Sequence, residues 1–242
     1  MITDLPSHRD EALFLTTRWT RVRLAKADSA AGRLALAELC EAYYEPVLAY
    51  LRYELRDVDA GRELSHAFFA EVLRGGRIEG ADQERGRFRS YLLGAVKHFL
   101  SRHREALHSL KRGSGRVPLC MDDAEVAEVS DPHQLSPDAA FDRQWALTML
   151  ERSLNALRLQ LNAEGRGPFF DRVRPMLTGE AAHGDQASIA SECSMTVETF
   201  RVALHRLKRR LRQCVKEEIS GTLEDDTNLE DEMQTLFAAL SG

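Results

Sequence analysis

Seven basic residues crowd one short stretch of this chain: Arg201, Arg206, Lys208, Arg209, Arg210, Arg212 and Lys216, with no acid between Glu198 and Lys216. Guanidinium and ammonium groups at that density make contacts to phosphate. The residues just before them, Asp185 to Met195, read as a short helix and a tight turn, with Ile189 and Ala190 facing inward and Met195 filling the turn. Thr196 is placed to cap the next helix, and Glu198 lies in its first turn, where the helix dipole favours an acid. Val197, Phe200, Ala203/Leu204, Leu207 and Leu211 recur at helical spacing and predict one buried face. The opposite face presents Thr199, Arg201, Val202, His205 and Lys208/Arg209. That is the outline of a helix-turn-helix, a device whose second helix enters the major groove of a duplex. Early residues of the face would meet base edges and the later cations would meet phosphates. The plainer alternative is a basic amphipathic helix whose charged face is only solvated.

A second basic constellation lies in residues 85–112, where Arg85, Arg87, Arg89, Lys97, Arg102, Arg104, Lys111 and Arg112 stand against the single acid Glu105. Phe88, Tyr91, His98, Phe99 and His103 are interleaved with them. Cations that track a backbone, mixed with rings on which unstacked bases can lie, suit a single strand. The competing reading makes Phe88, Tyr91 and Phe99 core residues and the arginines solvent-facing.

Other chemistries find no support in the residues. There is no phosphate-cradling G-x-x-x-x-G-K-[ST], no H-E-x-x-H and no Cys/His group with zinc spacing. His98, His103 and His108 recur every five residues, a spacing that drifts around a helix. Cys40, Cys120, Cys193 and Cys214 are scattered, all but Cys120 within predicted helices, and read as reduced thiols. The expectation is a binding protein, with no catalytic residue, no metal and no cofactor.

The elements that must hold these faces are helices. Leu34, Leu36, Leu39, Tyr43, Tyr44, Val47, Leu48 and Leu51 form one stripe, with Pro46 as a break or kink. Leu64, Phe68 and Val72 form a second, ended by Gly75-Gly76, and a third runs from Phe88 through Leu107. No segment alternates with period two. From Gly113 to Pro137, Gly, Ser, Pro and Asp dominate, which predicts a flexible acidic linker. Pro137 is well placed to open the next long helix, carried by Phe141, Trp145, Met149, Leu154, Leu157 and Leu161; a short helix over Phe169 to Leu177 follows. The net charge of -5 conceals segregation: residues 143–221 carry thirteen Lys/Arg against nine Asp/Glu, whereas residues 222–242 carry six acids and no base. No run of membrane-spanning length and no secretory signal is present among the 242 residues, so a cytoplasmic protein with no membrane partner is expected.

Taken in order, LAELCEAYYEPVLAYLR, DAGRELSHAFFAEVLRG, ERGRFRSYLLGAVKHFLSRHR and ASIASECSMTVETFRVALHRLKRRLR resemble regions 2.1, 2.2, 2.3–2.4 and 4.2 of bacterial sigma factors of the extracytoplasmic-function class, within the sigma-70 family. The resemblance covers about residues 15–218. It implies an all-α chain of two helical domains: region 2 in residues 1–112 and region 4 in residues 138–221, joined by the linker 113–137 and followed by an acidic amphipathic extension, 222–242. It implies a promoter-specificity subunit that binds core RNA polymerase at the β′ coiled coil and β flap. Thr199, Arg201, Val202, His205, Arg206, Lys208 and Arg209 would read the −35 element; Arg85, Arg87, Phe88, Arg89, Tyr91, Lys97, His98 and Arg102 would capture the melted −10 element. Asp59, Glu63, Ser65, His66 and Phe69 would dock on polymerase. The family's region 2.2 runs close to D-x-x-D-L-T-Q-E, where this chain has Ala60 to Ala67, keeping Glu63 but carrying alanine at the first and last acids. Phosphorylation of Ser65 by a Ser/Thr kinase would restore negative charge there. An anti-sigma protein is the other regulatory partner such factors take. The family often has Asn at position 98, where this chain has His98, and usually Gly in the second motif's turn, where it has Ser194.

The extension has an apolar stripe, Leu229, Met233, Leu236, Phe237 and Leu240, beside acids at Glu224, Asp225, Asp226, Glu230, Asp231 and Glu232. One expectation is autoinhibition, with the tail covering the recognition helix or the region 2 basic face; the other is a short helix that pads region 4. Two further functional readings stand beside the sigma factor: a stand-alone dimeric helix-turn-helix regulator of duplex DNA, and an interaction protein whose basic faces bind acidic partners.

Overall fold

The computed structural model describes residues 22, 24–27, 29–74, 87–113, 135–179, 186–220 and 229–241. Among them the regular structure is helical throughout, with no strand: α1 (Ala30–Leu55), α2 (Val58–Leu73), α3 (Phe88–Gly113), α4 (Pro137–Ala163), α5 (Gly167–Thr178), α6 (Gln186–Glu192), α7 (Val197–Ser220) and α8 (Leu229–Ser241). The all-α expectation therefore holds. Arg85, the Gly75-Gly76 stop and nearly all of the linker fall outside the described residues.

Local chemistry explains where the helices begin. The Ser29 hydroxyl accepts from Gly32 N–H at 2.9 Å, and Asp57 accepts from the amides of Asp59 and Ala60. Ser136 accepts from Ala139 N–H at 3.1 Å, with Pro137 in the first turn of α4, where its missing donor is harmless. Pro46, expected as a break or kink, lies buried inside α1, which continues to Leu55. Between α1 and α2 the backbones meet at Gly61: a Cβ there would sit 2.9 Å from Arg52 Cγ and 3.1 Å from its backbone nitrogen. Only glycine permits that approach.

α4 organises the packing. It lies along α1 and also contacts α5, α7 and α8, while α1 packs on α2, α6 on α7, and α7 on α8. α3 is fastened by aromatic edges, Phe88 on Tyr43 at 5.2 Å and Phe99 on Phe68 at 5.5 Å between ring centroids. Buried residues from Leu36 to Leu236, contributed by all eight helices, form one continuous apolar cluster. Ion pairs tie the two ends of α4 to different neighbours. Asp138 and Asp142 meet Lys97 and Arg89 of α3, whereas Glu164, just past its C-terminus, meets Arg210 of α7. No described helix is long and apolar enough to cross a membrane.

Candidate nucleic-acid interface

The turn between α6 and α7 is closed by three backbone hydrogen bonds: Cys193 N–H to Ile189 C=O, Ser194 N–H to Ser191 C=O and Met195 N–H to Ala190 C=O, at 2.9–3.0 Å. Ser194 takes a left-handed backbone, φ 55°, which glycine adopts without the Cβ penalty. The serine thus occupies a position whose geometry asks for glycine. Ser194→Gly should raise the unfolding free energy by about 0.5–1 kcal/mol in urea melts, the relief of strain exceeding the added freedom of the unfolded chain. Cys193, read as helical, lies in this turn instead.

Thr196 caps α7: its hydroxyl oxygen accepts from Thr199 N–H at 3.2 Å and lies 3.0 Å from the Thr199 hydroxyl. Phe200, Leu204, Leu207 and Leu211 are buried, and Phe169 of α5 meets Phe200 edge-on. Thr199, Arg201, Val202, His205, Arg206, Lys208 and Arg209 are all exposed. Arg201 reaches across the turn to Gln186 at 3.3 Å, and among the described residues Arg206, Lys208 and Arg209 have no ion-pair partner. Arg210 is different. It grips Glu164 through both terminal nitrogens, at 2.8 and 3.0 Å, and Gln160 at 3.1 Å. These hydrogen bonds hold the Glu164 carboxyl below the usual carboxylate range. An open groove of about 390 Å³ flanks the recognition face, lined by Arg166, Thr199, Val202, Arg206 and Arg210 among others.

The basic set at the start of α3 and along it has the opposite character, because among the described residues Arg87, Arg89, Lys97, Arg102 and Arg104 are paired with the chain's own acids. Arg87 reaches Glu232 at 2.6 Å and Asp231 at 3.9 Å. Arg89 pairs with Asp142 and, at 3.1 Å, with Glu232, and its guanidinium lies over the Trp145 ring, 4.6 Å from the centroid. Lys97 pairs with Asp138 at 2.7 Å and Arg102 with Glu71 at 2.8 Å. His98 is exposed, and Tyr91, half-buried, stacks on Phe88.

Two of the expected strand contacts are therefore corrected. Phe88 is core, 2 % exposed, because it shares the inward stripe of α3 with Leu92, Val96 and Phe99. Arg89 is 9 % exposed and acts as a staple between helices. Two expected docking residues are corrected as well. Phe69 is buried against Tyr44 and Phe68, and Ser65 is wholly buried, its hydroxyl donating to Gly61 C=O at 2.7 Å. A hydroxyl held there is not open to a kinase. Asp59, Glu63 and His66 remain on the surface, Asp59 paired with Arg62 and His66 bonded to Tyr44 Oη at 2.9 Å.

Among the described residues no cluster of His, Cys, Asp and Glu could hold a metal ion. Burial pushes the Cys40 thiol up to about 11 and raises Cys214 above the ordinary thiol value, so neither is a nucleophile near neutrality. Sequence reasoning missed Asp138 and Asp142 as partners of α3 and the role of Trp145 as Arg89's platform; it placed Glu232 only in a tail that would cover either the recognition helix or the region 2 basic face, and Glu232 lies on Arg87 and Arg89. Comparison with protein-family models, with curated proteins and with solved structures found no match to this chain.

Proposed function

We propose that this chain is a promoter-specificity subunit of RNA polymerase, with α6–α7 reading duplex DNA and α3 engaging the melted strand. In this reading residues 1–112 and 138–221 are its two functional units, 113–137 their linker and 222–242 a regulatory extension. The observation that carries it is the face of α7. A capped helix enters from a tight turn, is anchored by Phe200, Leu204, Leu207 and Leu211, and turns outward Arg206, Lys208 and Arg209, which have no acidic partner among the described residues. Cations left unneutralised on a rigid helix are what a phosphate backbone binds. Asp59, Glu63 and His66, exposed on α2, form the surface assigned to polymerase.

The test combines polymerase and DNA. The purified chain should be retained by bacterial core RNA polymerase and should bind promoter duplex as a monomer. Replacing Arg206, Lys208 and Arg209 with alanine should reduce the slope of log affinity against log salt by about 0.9 for each phosphate no longer neutralised. An unchanged slope would remove α7 from the interface. Duplex binding by a dimer that ignores core polymerase would identify a stand-alone helix-turn-helix regulator.

A further inference from the structure

Arg87 cannot hold a strand phosphate while it holds the chain's own acids. Glu232 is the most deeply placed of those acids, 1 % exposed, and a single carboxylate oxygen receives both Arg87 Nη1 at 2.6 Å and Arg89 Nη2 at 3.1 Å. The charge-assisted bond that Arg87 donates to this oxygen is of the kind a guanidinium makes to a backbone phosphate. Asp231, one residue earlier on α8, adds a second acid to Arg87. On the helix that delivers them, Met233 and Leu236 are fully buried, Leu229, Ala239 and Leu240 pack partly buried against the core, and Phe237 is exposed. A helix held by two fully buried apolar residues can open locally at less than the cost of global unfolding.

We propose that α8 is a built-in competitor for the strand site: Glu232, anchored by the staple Arg89, occupies the seat of a backbone phosphate on Arg87, and single-stranded DNA engages Arg87 and the exposed face of α3 when α8 lifts away. The inference rests on the strand-binding role assigned to α3. It also separates the two activities. Among the described residues the α8 acids Asp231 and Glu232 meet Arg87 and Arg89 and not the α7 face, so opening α8 acts on strand capture and not on duplex reading.

The experiment compares a short labelled single strand of random sequence with a duplex, using the full chain, Glu232→Gln, and a chain lacking residues 229–242. If the closed form holds about nine-tenths of the population, opening it should raise single-strand affinity about tenfold, since apparent affinity scales with the competent fraction. Duplex affinity should stay within about twofold, because the α7 face is unchanged. Glu230→Gln, on the exposed side of the same helix, controls for net charge and should leave both unchanged. Adding Arg87→Ala to Glu232→Gln should cancel the gain. Should the truncated chain fail to fold, Glu232→Gln decides alone, because the carboxamide keeps the shape and one acceptor oxygen while removing the charge. Equal single-strand affinity in wild type and Glu232→Gln overturns the competitor role and leaves the strand site standing. An equal gain on duplex and single strand also overturns it, as a charge effect. No strand binding by any form, even at low salt, overturns the competitor role together with the assignment of α3.

Discussion

Trp145→Ala is expected to lower the unfolding free energy by about 3–5 kcal/mol, the cost of deleting a large buried aromatic from a packed interior. The indole is 1 % exposed on the helix that touches α1, α5, α7 and α8, so the surrounding helices cannot close the hole without moving relative to one another. Arg89 loses its aromatic platform in the same step. The indole N–H has no hydrogen-bond partner among the described residues, so shape and the π face, not a polar contact, are what the site uses. Trp145→Phe, which keeps a ring beneath the guanidinium, should therefore recover more than half of the loss. Urea unfolding followed by circular dichroism reads both. The form of the transition carries separate information. Because the apolar cluster runs through α4 without interruption, Trp145→Ala should shift one cooperative transition. Two transitions, only one of them moved, would show that the halves of the chain are thermodynamically independent.

What the sequence revealed, and what it hid, divides by distance along the chain. The inward stripe of α7, the Thr196 cap and the start of α4 at Pro137 each depend on residues within a turn or two of one another, and each was legible. The burial of Ser65 was legible in principle. Gly61, Ser65, Phe68/Phe69 and Val72 follow one another at helical spacing, and all are buried. The eye is drawn to serine as a surface residue, but a hydroxyl can satisfy itself on the carbonyl four residues back. That the acidic tail would cover a basic face was legible, but not which face, nor which acids would meet Arg89. Arg89 finds Asp142 at a separation of 53 residues and Glu232 at 143, and no local period encodes a partner so far away. The same holds for the continuity of the core. A Gly/Ser/Pro/Asp-rich stretch signals separate blocks, but the stripe from Ala140 to Leu161 does not say which helices will cover it.

Replacing Arg89 by Met should cost about 3 kcal/mol, at the lower end of what removing one partner from a buried ion pair costs. Burial opposes the guanidinium's charge, yet Glu232 and Asp142 outweigh it and hold the arginine above its ordinary value. Without Arg89, Glu232 keeps only Arg87, and Asp142 is left beside an apolar side chain while about a third exposed. The residual pairing to Arg87 and the partial hydration of Asp142 are why the larger losses of fully buried pairs are not expected. The double variant Arg89→Met with Glu232→Gln should be less destabilised than the sum of the singles by more than about 1 kcal/mol, because the second change removes the charge the first one orphaned. The same pair of variants separates a staple from a DNA-binding arginine. If Arg89 is a staple, its removal lowers stability and, by loosening α8, frees Arg87 for the strand. If Arg89 instead grips DNA, its removal leaves stability near wild type and weakens strand binding. The buried position of Arg89, shared between two carboxylates and an indole, predicts the first result.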